Sequence, residues 1–247
     1  VLIEGELRDF AIHHMHLEND AGKLSHVGWK TLCDYNRAGS PLMEIVTEPV
    51  FHDKLEVMEF LKELQKMFRA SGVSDADMEK GQLRCDVNIS IRPEWETALY
   101  NRVELKNLNS FSAIGRAIDT EVARQIKIVG KGEEVPQETR GWDDATGMSS
   151  SQRSKEDAMD YRYVPEPDIL PIELDDAFLS DCKKNLVELP VQKRLKYLSE
   201  HKLKEDDARI LTADYKLSKY FDKLTKLSGD AQKSCSYITT ILLAMIN

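Results

Sequence analysis

The sequence is short of several things that would assign its class at once. No apolar run is long enough to span a bilayer, which argues against a membrane protein. Positive charge is outnumbered, with 34 Lys and Arg against 43 Asp and Glu and a net charge of −9. Such a chain repels phosphate at long range, so a nucleic-acid partner has to meet local basic patches, and broad non-specific binding of DNA or RNA is not expected. The four cysteines, Cys33, Cys85, Cys182 and Cys235, are far apart and form no C-x-x-C pair. Neither a structural zinc site nor a disulfide framework is indicated, and a reducing cytoplasm is the expected setting. There is no internal repeat, no low-complexity tract and no signal-peptide pattern. Aromatics reach only 7%, yet 41% hydrophobic and 31% charged residues make an ordinary globular composition. At 247 residues the core can be sizeable and two units are expected. The chain opens at Val1 and stops within the apolar run "YITTILLAMIN", and it reads as a piece of a longer polypeptide.

What is present begins with "LRCDVNISI", residues 83–91. Leu83, Cys85, Val87, Ile89 and Ile91 alternate with Arg84, Asp86, Asn88 and Ser90, the period of a strand with one buried face. Asp and Asn are poor strand formers, so their presence on the polar face asks for a use. A second alternating run, "RVELKNL" at 102–108, puts Arg102, Glu104 and Lys106 on one face, and the two runs can pair as an antiparallel ribbon with both polar rows side by side. Earlier, "FAIHHMHLEND" reads as a strand with His14, His16 and Glu18 on one face and Met15 and Leu17 on the other. A loop follows at "DAGK", and "PLMEIV" reads as another strand. Asp53 and Glu56 form a D-x-x-E cap for a helix whose stripe ends at Gly72. Asn109 or Ser110 caps a second helix with apolar positions Phe111, Ile114, Ile118, Val122 and Ile126, ending at Gly130.

Residues 135–174 read as a long Pro-, Gly- and Ser-rich loop in which "DYRYVPEPD" argues for order. Beyond Asp175 the pattern turns helical. The expected fold class is α+β: a cradle-like mixed or antiparallel sheet domain with covering helices over residues 1–178, then an all-α helical domain over 179–247.

Several candidate sites follow. The H-x-H-x-E run could share a cation, although ordinary satisfied polar residues make the same pattern. "DAGK" lacks the spaced glycines of a phosphate loop. Glu18, Asp86 and Glu104 offer hard oxygen ligands of the kind a Mg²⁺-nucleotide site needs; the competing reading is a solvated sheet face on which Arg84 and Lys106 are salt-bridge partners. No Ser-His-Asp or Cys-His nucleophile can be located. Lys183, Lys184, Lys193, Arg194, Lys196, Lys202 and Lys204 make the best local basic patch.

The longer motifs "HLENDAGK", "DYNRAGSPLMEIVTEP", "LRCDVNISIRP", "ELKNLNSF", "QETRGWD", "SKEDAMDYRYVPEPD" and "ELPVQKRLKYL" resemble, in order and spacing, the GatB/GatE family, a subunit of aspartyl/glutamyl-tRNA(Asn/Gln) amidotransferases. The resemblance implies a cytoplasmic (or organellar) ligase component. It uses ATP and Mg²⁺ to phosphorylate the side-chain carboxylate of Glu-tRNA(Gln) or Asp-tRNA(Asn), which ammonia then amidates. It also implies partners: the amidase (glutaminase) subunit that supplies ammonia from glutamine, one further small subunit and the misacylated tRNA, with no DNA and no membrane. Carried onto this chain, the resemblance makes Glu18, Asp86 and Glu104 catalytic, gives the metal Glu18, Asn19, Asp86 and Glu104, and makes Arg84 and Lys106 partners of phosphate or carboxylate. Asn19 stands where many members carry a second Glu. An N-terminal Glu/His segment and the family's tail domain are not seen. An archaeal member with an inserted domain fits less well, and a non-catalytic tRNA-binding scaffold of the same fold is the alternative.

Overall fold

The structure is a computed structural model that describes residues 1–154, 170 and 172–246. It is a mixed architecture of small sheets and helices, and the chain divides into two compact units, Val1–Glu56 and Val57 onward. No helix among the described residues is long and apolar enough to cross a membrane.

The first unit is built of two-stranded ribbons. β1 (Leu2–Ile3) and β2 (Glu6–Leu7) are joined through Glu4 and Gly5, both at positive φ, as the tightest hairpin turns demand. β3 (Ile12–Asn19) pairs with the later β6 (Pro41–Thr47), and between them β4 (Lys23–Val27) and β5 (Lys30–Asp34) form a hairpin. The sequence pattern predicts only a loop after Asp20. Gly28 at φ +59 and Trp29 are the two-residue signal for the hairpin. Gly22 of "DAGK" serves packing: a Cβ there would lie 2.8 Å from Cδ1 of Tyr35.

The second unit carries the larger core. α1 (Lys54–Ser71) starts with Asp53 accepting the Glu56 amide at 2.9 Å and ends at Gly72 in the left-handed region. β7 (Cys85–Ile89) pairs antiparallel with β8 (Val103–Leu108), as their alternation led one to expect. Ser110 caps α2 (Phe111–Val129), accepting the Ala113 amide at 3.0 Å. α2 then connects β8 to a parallel neighbour, β9 (Glu138–Asp143), and β10 (Met148–Ser154) closes a sheet of order β10-β9-β8-β7.

The β9–β10 hairpin overturns part of the long loop read from 135 to 174. Its alternation is hidden because, Trp142 apart, β9 presents polar residues or glycine on both faces. On the helix side Arg140 donates to Glu138 at 2.7 Å, while Glu121 of α2, only 1% exposed, accepts two hydrogen bonds of 2.8 Å from Arg124. Charges can be buried there because each finds a countercharge on another element. The remainder, Val103, Leu105, Leu108, Ile114, Ala117 and Leu61, is a conventional apolar core between the sheet and helices α1 and α2. The "DYRYVPEPD" motif lies outside the described residues.

Six further helices follow among the described residues: α3 (Asp176–Lys184), α4 (Pro190–Ser199), α5 (Glu205–Leu211), α6 (Tyr215–Ser228), α7 (Ala231–Tyr237) and, after a π-helical turn, α8 (Leu243–Ile246). Tyr197, Leu211, Phe221 and Ile238 form their core. The helical pattern beyond Asp175 is interrupted at Asp214, whose side chain caps α6 by accepting the Leu217 amide at 2.9 Å. Two members of the basic patch turn inward: Lys193 is paired with Asp222 and Glu188, and Arg194 is buried as well.

Candidate active site

The sheet of the second unit has one face packed against α1 and α2, and on its other face Asp86 and Asn88 are exposed. Strand alternation puts Cys85, Val87 and Ile89 toward the helices and Asp86 and Asn88 outward. β8 contributes Glu104 and Lys106 to the same outward row, with Asn88 directly opposite Glu104. β9, in parallel register, brings Thr139 beside Glu104 and Gly141 beside Lys106.

The groups converge. Lys106 Nζ lies 2.9 Å from Asp86 Oδ2 and 3.5 Å from Glu104 Oε1, so both carboxylates reach one point. The buried Thr139 hydroxyl donates to Glu104 Oε2 at 2.8 Å and holds that carboxylate's other oxygen toward the lysine. Partial burial works against the Lys106 charge, but the Asp86 carboxylate, with Glu104 behind it, outweighs that and holds its pKa above the usual lysine value. Arg84 is exposed one residue before β7, on the side of Asp86.

This geometry contains pieces of both readings. The two carboxylates meet, as a shared ion requires; Lys106 also pairs with them, as a solvated salt-bridged face would have it. Strand periodicity is enough to find Asp86, Glu104 and Lys106, but it misses Thr139, whose strand reads as loop. "QETRGWD" holds a weak signal for it, the placement of Thr139 and Gly141 two apart.

Glu18 and Asn19 belong to the first unit, exposed at the end of β3, opposite Leu42 and Pro41. Glu18 stands in the row of His14 and His16, whose rings meet edge to face at 4.6 Å. Asn19 falls in the alternate row with Met15 and Leu17. Met15 and Leu17 make that row apolar, yet Leu17 is 83% exposed because within this unit β3 has only β6 beside it and no covering helix. Glu44, which the sequence motifs do not single out, is directly opposite His16. Asp20 is engaged in holding the loop that follows, 2.9 Å from Arg37.

Asp86 and Glu104 suit a hard cation, being oxygen ligands that already reach one ammonium, with Asn88 adjacent. Among the described residues no three His, Cys, Asp or Glu side chains converge into a complete metal site. A Mg²⁺ that arrives with a nucleotide needs only one or two carboxylates, since water and phosphate oxygens complete its octahedron. Two clefts elsewhere in this unit do not involve these residues: one of about 380 Å³ bordered by Arg69, Lys80, Asp214 and Tyr215, and one of about 510 Å³ bordered by Arg124, Lys127 and Arg140.

Comparison with known proteins places residues 1–180 in a match to the family model described as the GatB/GatE catalytic domain. The chain is 46% identical over 237 residues to the GatB subunit of the aspartyl/glutamyl-tRNA(Asn/Gln) amidotransferase of Persephonella marina, a match covering 96% of this chain and 50% of that protein. The protein of the same name from Trichormus variabilis is 45% identical over 243 residues, covering 96% of this chain and 50% of the relative. That of a Culex Wolbachia is 44% identical over 247 residues, covering 100% and 52%. The chain thus spans about half the length of the curated relatives it matches.

Proposed function

Because the chain belongs to the GatB/GatE family, we propose that it acts as the GatB subunit of a tRNA-dependent amidotransferase, activating the side-chain carboxylate of Glu-tRNA(Gln) or Asp-tRNA(Asn) with ATP and passing it to ammonia. The observation that carries this reading is the convergence of Asp86, Glu104 and Lys106 on the face of the sheet away from α1 and α2. A carboxylate is a poor electrophile, and phosphorylation gives it a leaving group; the transfer is then a matter of holding phosphates in line and neutralising charge. Asp86 and Glu104 would hold Mg²⁺, and the ion would supply Lewis-acid neutralisation of the phosphate oxygens. Lys106 and Arg84 meet anionic oxygens of phosphate or substrate. Thr139 fixes the rotamer of Glu104. Ammonia comes from the amidase (glutaminase) partner, with one further small subunit completing the complex.

The relatives' name supports the reaction class, and the acidic and basic groups support the assignment of roles. A non-catalytic tRNA-binding member of the fold is the second reading, favoured by one observation: Lys106 already satisfies both carboxylates. The two differ in an assay of Glu-tRNA-dependent ATP hydrolysis with the full chain and its partner subunits. Asp86→Asn and Glu104→Gln are each expected to lower the rate on the order of 100-fold, about 3 kcal/mol, while tRNA binding persists. Rates equal to the parent's would overturn the proposal.

A further inference from the structure

Lys106 stands where the site just proposed would place its cation, within 2.9 Å of Asp86 and 3.5 Å of Glu104. Local backbone irregularity puts it there. Between the pairs Cys85↔Leu108 and Val87↔Leu105 the register of β7 and β8 shifts, so β8 carries one extra residue opposite Asp86. Asn107, next to the lysine, adopts φ +66, the left-handed conformation a bulge of this kind uses and one that Asn tolerates better than most side chains. The bulge lets Lys106 lean between the carboxylates. Thr139 holds Glu104 from the other side.

On the reading of the site given above, we infer that Lys106 is its resident counter-ion, competing with the divalent cation for Asp86 and Glu104. Two carboxylates that reach one point repel each other unless a cation lies between them, and the ammonium supplies that charge. A divalent ion and an ammonium cannot share the position, so the lysine must let go of the carboxylates before they can ligate. Its flexible stem and compact charge suit such an exchange, whereas a planar guanidinium would tend to stay in a bidentate pair. Once released, Lys106 is a free cation beside the reacting phosphate. The same side chain thereby keeps the carboxylates together without metal and serves an anion with it, which unites the salt-bridge and binding-site interpretations of this face.

The test is Mn²⁺ titration of the full chain without nucleotide, followed by loss of the free-ion electron paramagnetic resonance signal. Lys106→Gln is expected to bind Mn²⁺ about tenfold more tightly, the size of a screened unit charge a few ångströms away. Lys106→Met, which keeps the stem but not the charge, is expected to do the same and serves if the Gln variant folds poorly. Lys106→Arg keeps the charge and the parent affinity or weaker, and Asp86→Asn weakens binding. If Asp86→Asn weakens binding but neither uncharged variant tightens it, the counter-ion role is wrong and the site stands. If Asp86→Asn leaves Mn²⁺ binding unchanged, the ion is not at this pair, and both the counter-ion role and the site assignment fall.

Discussion

Replacing Thr139 by Val removes one hydroxyl and almost no volume, which isolates the hydrogen bond to Glu104. The hydroxyl lies 2.8 Å from Glu104 Oε2, its residue is 7% exposed, and the Glu104 side chain is 16% exposed. A hydrogen bond to a charged group contributes about 1.5–3 kcal/mol. Partial access of water to Glu104 and the remaining contact with Lys106 put the expected loss at the low end, about 1.5 kcal/mol. Urea unfolding should show this as a lower midpoint with an unchanged slope. Thr139→Ser keeps the donor and should recover most of the loss. On the function proposed above, the same change should lower the amidation rate of the complex about tenfold, because Glu104 is no longer held in one rotamer. A Val variant as stable as the parent, or a Ser variant as unstable as the Val, would refute the argument.

Arg140→Met removes one of two guanidiniums beside the nearly buried carboxyls of Glu138 and Glu121, the other being that of Arg124, and should cost about 2 kcal/mol at neutral pH. Burial opposes the Glu138 charge, but the Ser151 hydroxyl and the Arg140 guanidinium outweigh it and hold its pKa below the usual value. Stability from this group is therefore complete above the ordinary carboxylate pKa and is lost as pH falls through the lower, folded-state value. Denaturation series from pH 7 downward should show that acid-side loss in the parent and a flatter profile in the variant; parallel profiles would count against it. For the thiols, exposed Cys33 and Cys182 should alkylate readily in the native protein at pH 8. Burial pushes the Cys85 thiol up to about 12 and that of Cys235 up to about 11, so both should react only on unfolding; fast native labelling of Cys85 would place it outside the apolar layer.

What could be read from the sequence alone was what depends on near neighbours in the chain. β7 and β8 announce themselves through alternation, α1 and α2 through their caps and 3.6-residue stripes, and Asp86 through the oddity of an acid on a strand. Such signals are local because side-chain direction repeats every two residues in a strand and every turn in a helix. Tertiary structure decided the rest. β9 and β10 carry no apolar alternation because Arg140 is neutralised by Glu138 beside it and by Glu121 on α2, a helix packed against that face. Lys193 looks like a surface charge until Asp222, from a different helix, is brought to it. At the site, the sequence shows that Asp86, Glu104 and Lys106 occupy polar rows, but only the paired strands bring those rows together. The bulge at Asn107 then decides that the lysine lies between the carboxylates, since strand register is a choice among distant partners and no local rule sets it.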